Sequence, residues 1–202
     1  MDIIDVVQKQ LGSVFCCDKQ QLEKIGALHD EAMECAKTAL SGFNNKYLTA
    51  QLNPFNSVIY CNYLYWLSRK LYLNKENDLA DRVYYLNKML NSVDLFYAIE
   101  LPRVWSCEHP LGSIMGRAKY SDGFFFYQGC TVGGNRNKGV LEYPTIGENV
   151  IMYSDSKIIG SSRIGNNVLI SANAYIKNET IPDNSIVFGQ SPNLIIKSRK
   201  DV

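Results

Sequence analysis

From Ile146 onward an apolar residue returns at every sixth position: Ile146, Met152, Ile158, Ile164, Ile170 and Ile176. Tyr120, Phe126 and Val132 keep the same count upstream, and only residues 133–145 interrupt it. A helix repeats near 3.6 residues and a simple strand at 2, so neither explains a period of six. Small or turn-forming residues often come next, as Gly133, Gly147, Gly165 and Ser171 do. This spacing predicts a parallel β-helix, in which each hexad supplies one short strand and one turn. Three hexads complete a triangular coil, and the periodic side chain points inward onto its equivalents above and below. A coil can bury its faces only against neighbours, so several must stack before the structure is stable.

Residues 1–92 follow a different rule. Ile3, Val6, Val7, Leu11 and Val14 fall at helical intervals, and Leu22, Ile25, Leu28, Met33, Ala36 and Leu40 predict one helix over residues 20–42. Asn53-Pro54 breaks the chain before an aromatic stretch from Ser57 to Leu73, and a fourth helix is expected from about Glu76 to Leu90. Such apolar helices must pack, either within the chain or against another subunit. The fold class is therefore α+β. A helical domain occupies 1–92, a β-helix 93–192 and a C-terminal tail 193–202.

The formal net charge is +1, with Lys and Arg dispersed, whereas nucleic-acid binding needs a basic stripe. No apolar run reaches the roughly 18 residues of a membrane span and the N-terminus lacks a signal-peptide pattern, so a cytoplasmic protein is expected. Six cysteines at 16, 17, 35, 61, 107 and 130 form no CxxC pair and stand near no histidine cluster. They read as buried free thiols, and no metal site is expected.

One of only two histidines lies in Cys107–Gly116, CEHPLGSIMG. With its neighbours, this stretch resembles the hexapeptide-repeat acyltransferases, and serine acetyltransferases most closely. VDL at 93–95 is similar to that family's Val-Asp-Ile. EHPLGSIMG at 108–116 resembles its catalytic turn, at the matching interval from Asp94. YQGCTVGG at 127–134 resembles the strand and double glycine before its long loop. YPTIG at 143–147 and IPDNSIVFGQSPNLII at 181–196 are similar to the resuming and closing segments. The resemblance implies a left-handed β-helix, a homotrimer or dimer of trimers, acetyl-CoA as cosubstrate, and a small-molecule acceptor.

Acetyl transfer from a thioester to a hydroxyl needs a base near neutral pKa, which imidazole supplies. It also benefits from a carboxylate that holds the ring and from donors to the oxyanion. The resemblance implies His109 as general base, Asp94 as its carboxylate, and Glu108 as an orienting group. It implies Gly134, Ser154 and Ala172 along the cofactor groove, where small side chains admit a thin pantetheine arm. The basic run Lys197-Ser198-Arg199-Lys200 could meet the phosphates or simply be solvated. His29, inside a helical segment, has no such company and reads as structural.

Three features depart from the serine acetyltransferase pattern. Glu142-Tyr143 replaces an arginine and second histidine, Arg117 replaces a glutamate, and Tyr153 and Asp155 replace turn glycines. Arg117, Glu142 and Tyr143 are therefore the candidate acceptor-binding residues. They either keep a local ion pair with its signs exchanged or turn the pocket from serine to a sugar or nucleotide-sugar hydroxyl. The reading is thus an O-acetyltransferase acting on a sugar or on L-serine. The alternatives are a serine acetyltransferase of cysteine biosynthesis and a non-catalytic trimeric β-helix scaffold. A zinc hydratase on the same fold would need three histidines, and the chain has two.

Overall fold

A computed structural model describes residues 2–43 and 53–199. The chain divides into two compact units, Met1–Ala98 and Ile99–Val202, so the helical unit runs past the expected boundary at 92.

The helical unit holds α1 (Ile3–Phe15), α2 (Lys19–Ala27), α3 (His29–Ser41), α4 (Ser57–Leu73) and α5 (Asn77–Asn91). The helix expected over 20–42 is two. At Leu28 the backbone turns to φ −101° and ψ 7°, and its N–H bonds the Ile25 carbonyl rather than continuing the ladder. No proline or capping residue marks this break, so periodicity alone ran through it. Asn56 caps α4 by accepting from the Val58 and Ile59 N–H groups. Ile59, Tyr60, Tyr63, Leu64, Leu67 and Leu71 of α4 join the core with Ile3, Val7 and Leu11 of α1 and Leu79, Val83 and Leu86 of α5. His29 sits at the start of α3, where Nδ1 lies 2.8 Å from the Tyr63 hydroxyl, a structural tie between two helices.

Burial pushes the phenols of Tyr60 and Tyr63 well above 10, and burial with a hydrogen bond to Asp81 pushes Tyr97 up to about 12. Unfolded, all three ionise near 10. The unfolded state therefore loses protons first as pH rises, and stability falls. The urea midpoint of unfolding is expected to decline steadily above about pH 10, as far-UV circular dichroism across a pH series would show. A flat profile to the alkaline limit would contradict it.

The second unit is a parallel β-helix with three faces. Its first face stacks β1 (Trp105–Cys107), β3 (Phe124–Phe126), β8 (Ile151–Met152), β11 (Leu169–Ile170) and β14 (Ser185–Gln190). The second stacks β2 (Ile114–Met115), β4 (Thr131–Gly133), β9 (Lys157–Ile159) and β12 (Tyr175–Lys177). The third stacks β7 (Thr145–Ile146), β10 (Arg163–Ile164) and β13 (Thr180–Ile181), with Lys119 bridging to Thr145 above. Each face lines up one inward column. These are Cys107–Phe126–Met152–Ile170–Val187, Met115–Val132–Ile158–Ile176 and Ile146–Ile164–Ile181, every member at most 4% exposed. Tyr120, counted in the period, is only half-buried. It heads the third column, and its hydroxyl donates to the Gly116 carbonyl at 2.7 Å.

Residues 135–142 leave the coil as a hairpin of β5 (Asn135–Asn137) and β6 (Val140–Glu142), joined by Lys138-Gly139, both at positive φ. Two positive-φ residues in a two-residue loop match the twist of the flanking strands. Residues 193–198, expected in the tail, instead form β15 (Asn193–Ser198), antiparallel to β14. Lys197 and Ser198 lie on this strand, Arg199 follows it, and Lys200 is outside the described residues.

Where the third face turns into the first, Asn149, Asn167 and Asn184 occupy one column at φ 54–55°. Asn149 donates to Asn167 and Asn167 to Asn184, both at 3.1 Å. Asn tolerates the left-handed region, where other side chains pay about 1–2 kcal/mol. Asn167→Ala loses two hydrogen bonds and gains that strain, whereas Asn167→Gly loses only the bonds. The alanine variant is therefore expected to melt lower than the glycine variant, reversing the usual order of the two residues.

Candidate functional site

The turns of the β-helix stack as vertical edges, and the candidate residues divide between two of them. The edge from the first to the second face begins with the turn containing His109, Pro110, Leu111 and Gly112. Below it follow Gln128-Gly129, Ser154-Asp155 and Ala172-Asn173. Each rung hangs on the one above through Gly129 N–H to the Leu111 carbonyl, Asp155 N–H to that of Gln128 and Asn173 N–H to that of Ser154, all at 2.9 Å. His109, Ser154 and Ala172 thus share one edge. His109 adopts φ 50° and is exposed, and among the described residues its ring has no hydrogen-bond partner. A non-glycine residue held at positive φ carries backbone strain, which clusters at functional turns. The turn is fixed from beneath: Ser113 Oγ donates to the Tyr127 carbonyl at 2.8 Å and accepts from the Cys130 N–H at 3.1 Å.

Glu108 lies just before the edge, and its N–H donates to the Phe126 carbonyl at 3.0 Å. Directly below stands Tyr127, whose phenol is pushed up by burial and then by the Glu108 carboxylate it bonds. Tyr127 in turn stacks on Tyr153, centroids 5.4 Å apart and planes 9° from parallel. Tyr127 was not among the expected site residues. Its signal was the register, since it follows Phe126 as Tyr153 follows Met152. At the same corner Gln128 Oε1 is buried without a hydrogen-bond partner.

Arg117, Gly134, Glu142 and Tyr143 gather at the next edge, between the second and third faces. The Arg117 guanidinium donates to the Tyr143 hydroxyl at 3.0 Å and lies 5.2 Å from the ring centroid, a combined hydrogen bond and cation–π contact. A Cβ on Gly134 would come within 2.8 Å of Tyr143 Cε1, so glycine there is what lets the ring lie flat. Glu142 accepts from Asn137 Nδ2 at 3.4 Å across the hairpin. The exchanged Arg117–Glu142 ion pair does not form. Arginine takes the aromatic ring of Tyr143, and the hairpin takes the carboxylate.

Asp94 belongs to the helical unit. Its Oδ1 accepts from the Tyr84 hydroxyl and its Oδ2 from Lys88 Nζ, both at 2.7 Å. The described residues contain no group of three His, Cys, Asp or Glu that could hold a metal ion. No helix among them is long and apolar enough to cross a membrane.

Residues 143–178 match the model of the bacterial transferase hexapeptide family, described as six repeats. The serine acetyltransferases of Staphylococcus epidermidis and Staphylococcus xylosus are each 28% identical over 132 residues, 65% of this chain. The chain spans about 61% of the length of the first and 60% of the second. Among solved structures, Neisseria gonorrhoeae serine acetyltransferase superposes with a TM-score of 0.79 at 20% identity, over 98% of this chain and 79% of that one. A serine acetyltransferase in complex with CoA gives 0.71 at 17% identity, over 88% of this chain and 74% of that one. At these identities the superpositions establish the fold: helices followed by a parallel β-helix. With its buried hexad columns and the match across 143–178, the chain carries a hexapeptide-repeat β-helix and is similar to serine acetyltransferases.

Proposed function

We propose that the protein is an acetyl-CoA-dependent O-acetyltransferase, with L-serine as the first acceptor to test. One observation carries the reading: His109, at φ 50° and with no hydrogen-bond partner on its ring, shares a single edge with Ser154 and Ala172. A pantetheine arm laid along that edge, past small side chains, brings its thioester to the imidazole. His109 takes the proton of the acceptor hydroxyl as its oxygen attacks the thioester carbonyl. The C–O bond forms, the tetrahedral intermediate collapses, the C–S bond breaks, and the departing thiolate takes the proton from the imidazolium. Glu108, whose carboxylate bonds Tyr127, is the orienting group next to His109 in the chain. Asp94, the carboxylate that the resemblance implies, is held within the helical unit by Tyr84 and Lys88. Gln128 Oε1, an orphaned acceptor one rung below the His109 turn, suits a donor on a bound ligand.

Arg117, Gly134, Glu142 and Tyr143 stand a face away from His109 in one chain. We place them opposite the His109 edge of a neighbouring copy, so that a homotrimer in the cytoplasm, or a pair of trimers, completes each site. The outward residues of the first face, Phe125, Ile151, Leu169 and Ile186, support this, being apolar and in register. A sugar hydroxyl is the second reading, favoured by Arg117 lying against Tyr143, since an aromatic ring beside a guanidinium suits a saccharide ring.

The test follows thiol release from acetyl-CoA with L-serine and with a panel of sugars and nucleotide-sugars. Turnover with serine is expected. Turnover with a sugar alone moves the acceptor to the second reading, and CoA binding without any turnover overturns the transferase in favour of a scaffold.

A further inference from the structure

We infer that this β-helix carries an aromatic slot, walled by Tyr153 and Phe188 and floored by Ser171, that takes the adenine ring of the cosubstrate. The inference rests on the acetyl-CoA reading above. On the first face the residue after each inward position points outward, and these residues form the column Glu108, Tyr127, Tyr153, Ser171, Phe188. The ladder bonds set their order: Glu108 N–H to Phe126 O, Tyr127 N–H to Met152 O, Tyr153 N–H to Ile170 O and Ser171 N–H to Val187 O, between 2.9 and 3.0 Å.

Tyr127 fills one face of Tyr153. The other faces Ser171, whose hydroxymethyl is too short to fill its rung. Phe188 closes the slot one rung further on. Tyr153 and Phe188 are 38% and 37% exposed, a large apolar residue left open on each side of a small one. Adjacent rungs lie about 4.8 Å apart, so the walls are roughly 9.5 Å apart along the axis. A planar ring between two others needs about 3.5–4 Å on each side. One ring fits, with the slack taken up by rotation of the two walls.

Two features select adenine rather than any flat ring. First, the slot lies three rungs, roughly 14 Å, from the rung of Glu108 and His109, and on the His109 side of the same edge. A pantetheine arm drawn along Ser154 and Ala172 spans that kind of distance before its nucleotide. Second, the far wall is positively charged: Lys197 Nζ lies 5.8 Å from the Phe188 ring centroid, and Arg199 follows just after the same strand. Phosphates attached to a ring in the slot would emerge beside them.

Two variants test the slot without touching His109. Ser171→Leu plugs it, and Phe188→Ala removes one wall. Affinities for CoA and for 4′-phosphopantetheine, which lacks the nucleoside, are measured by calorimetry, with far-UV circular dichroism confirming the fold. Stacking is worth about 1–3 kcal/mol per base, so CoA is expected to bind about 5–150-fold more weakly to each variant. 4′-Phosphopantetheine should change less than about twofold. Unchanged CoA affinity in both variants overturns the slot, and so does an equal loss for both ligands, which would mark a structural role. A wild-type protein that binds no CoA at all would sink the transferase reading itself, a result distinct from either.

Discussion

His109→Asn is expected to slow acetyl transfer by about 10²–10⁴-fold while leaving the fold intact. Asparagine is the informative replacement because His109 sits at φ 50°, a region that asparagine tolerates and most side chains do not. It therefore keeps the turn and removes only the base. His109→Ala retains the strain and loses the base, so its rate should fall in the same range with a slightly lower melting temperature. The loss should appear in kcat and in kcat/KM alike, because the proton is transferred only in the transition state. CoA affinity should hold, since the arm is read by the edge below. An asparagine variant within threefold of the parent would remove His109 from the chemistry.

Phe126→Ala carries the largest expected loss of stability. Phe126 is fully buried in the first inward column, with Trp105 stacked 6.2 Å away at 8° and Phe124 at 5.9 Å. Truncating such a ring costs about 3–5 kcal/mol, through lost transfer energy and the cavity left behind. For a chain of 202 residues unfolding as one, that lowers the melting temperature by roughly 6–20 °C. Ile151→Ala, one residue before the inward Met152 and half-buried on the outer side of the same rung, should cost clearly less. If the two variants melt together, the inward columns are not what holds the coil.

The β-helix was legible because its rule is one-dimensional: an aliphatic residue every six, each position answering to a rung. The last coil escaped because the rule slipped. From Ile176 to Ile181 the step is five residues, so Ile181 and Val187 fall out of phase although both are buried. The hairpin explains residues 135–142, where the period lapses. The break at Leu28 was invisible because nothing in composition distinguishes a turn of helix from a tight bend between two helices. At the candidate site, the motif located His109 and Glu108. The division of the remaining residues between two edges needed the rungs in register. Arg117 and Glu142 looked like a swapped ion pair in the linear sequence, yet Gly134 and Tyr143 gave the guanidinium a nearer partner.

β15 has a consequence for how copies of this chain meet end to end. A coil stack finished by a parallel strand would offer its last rung to another stack, inviting growth into filaments. Folded back across that rung, β15 instead pairs along Ser185–Gln190 of β14 and sets Lys197 on the covering strand with Arg199 just after it, and charged residues at an edge disfavour pairing with another strand. Cutting the chain before Asn193 would bare the parallel edge, and such a fragment should polymerise where the parent stays dispersed.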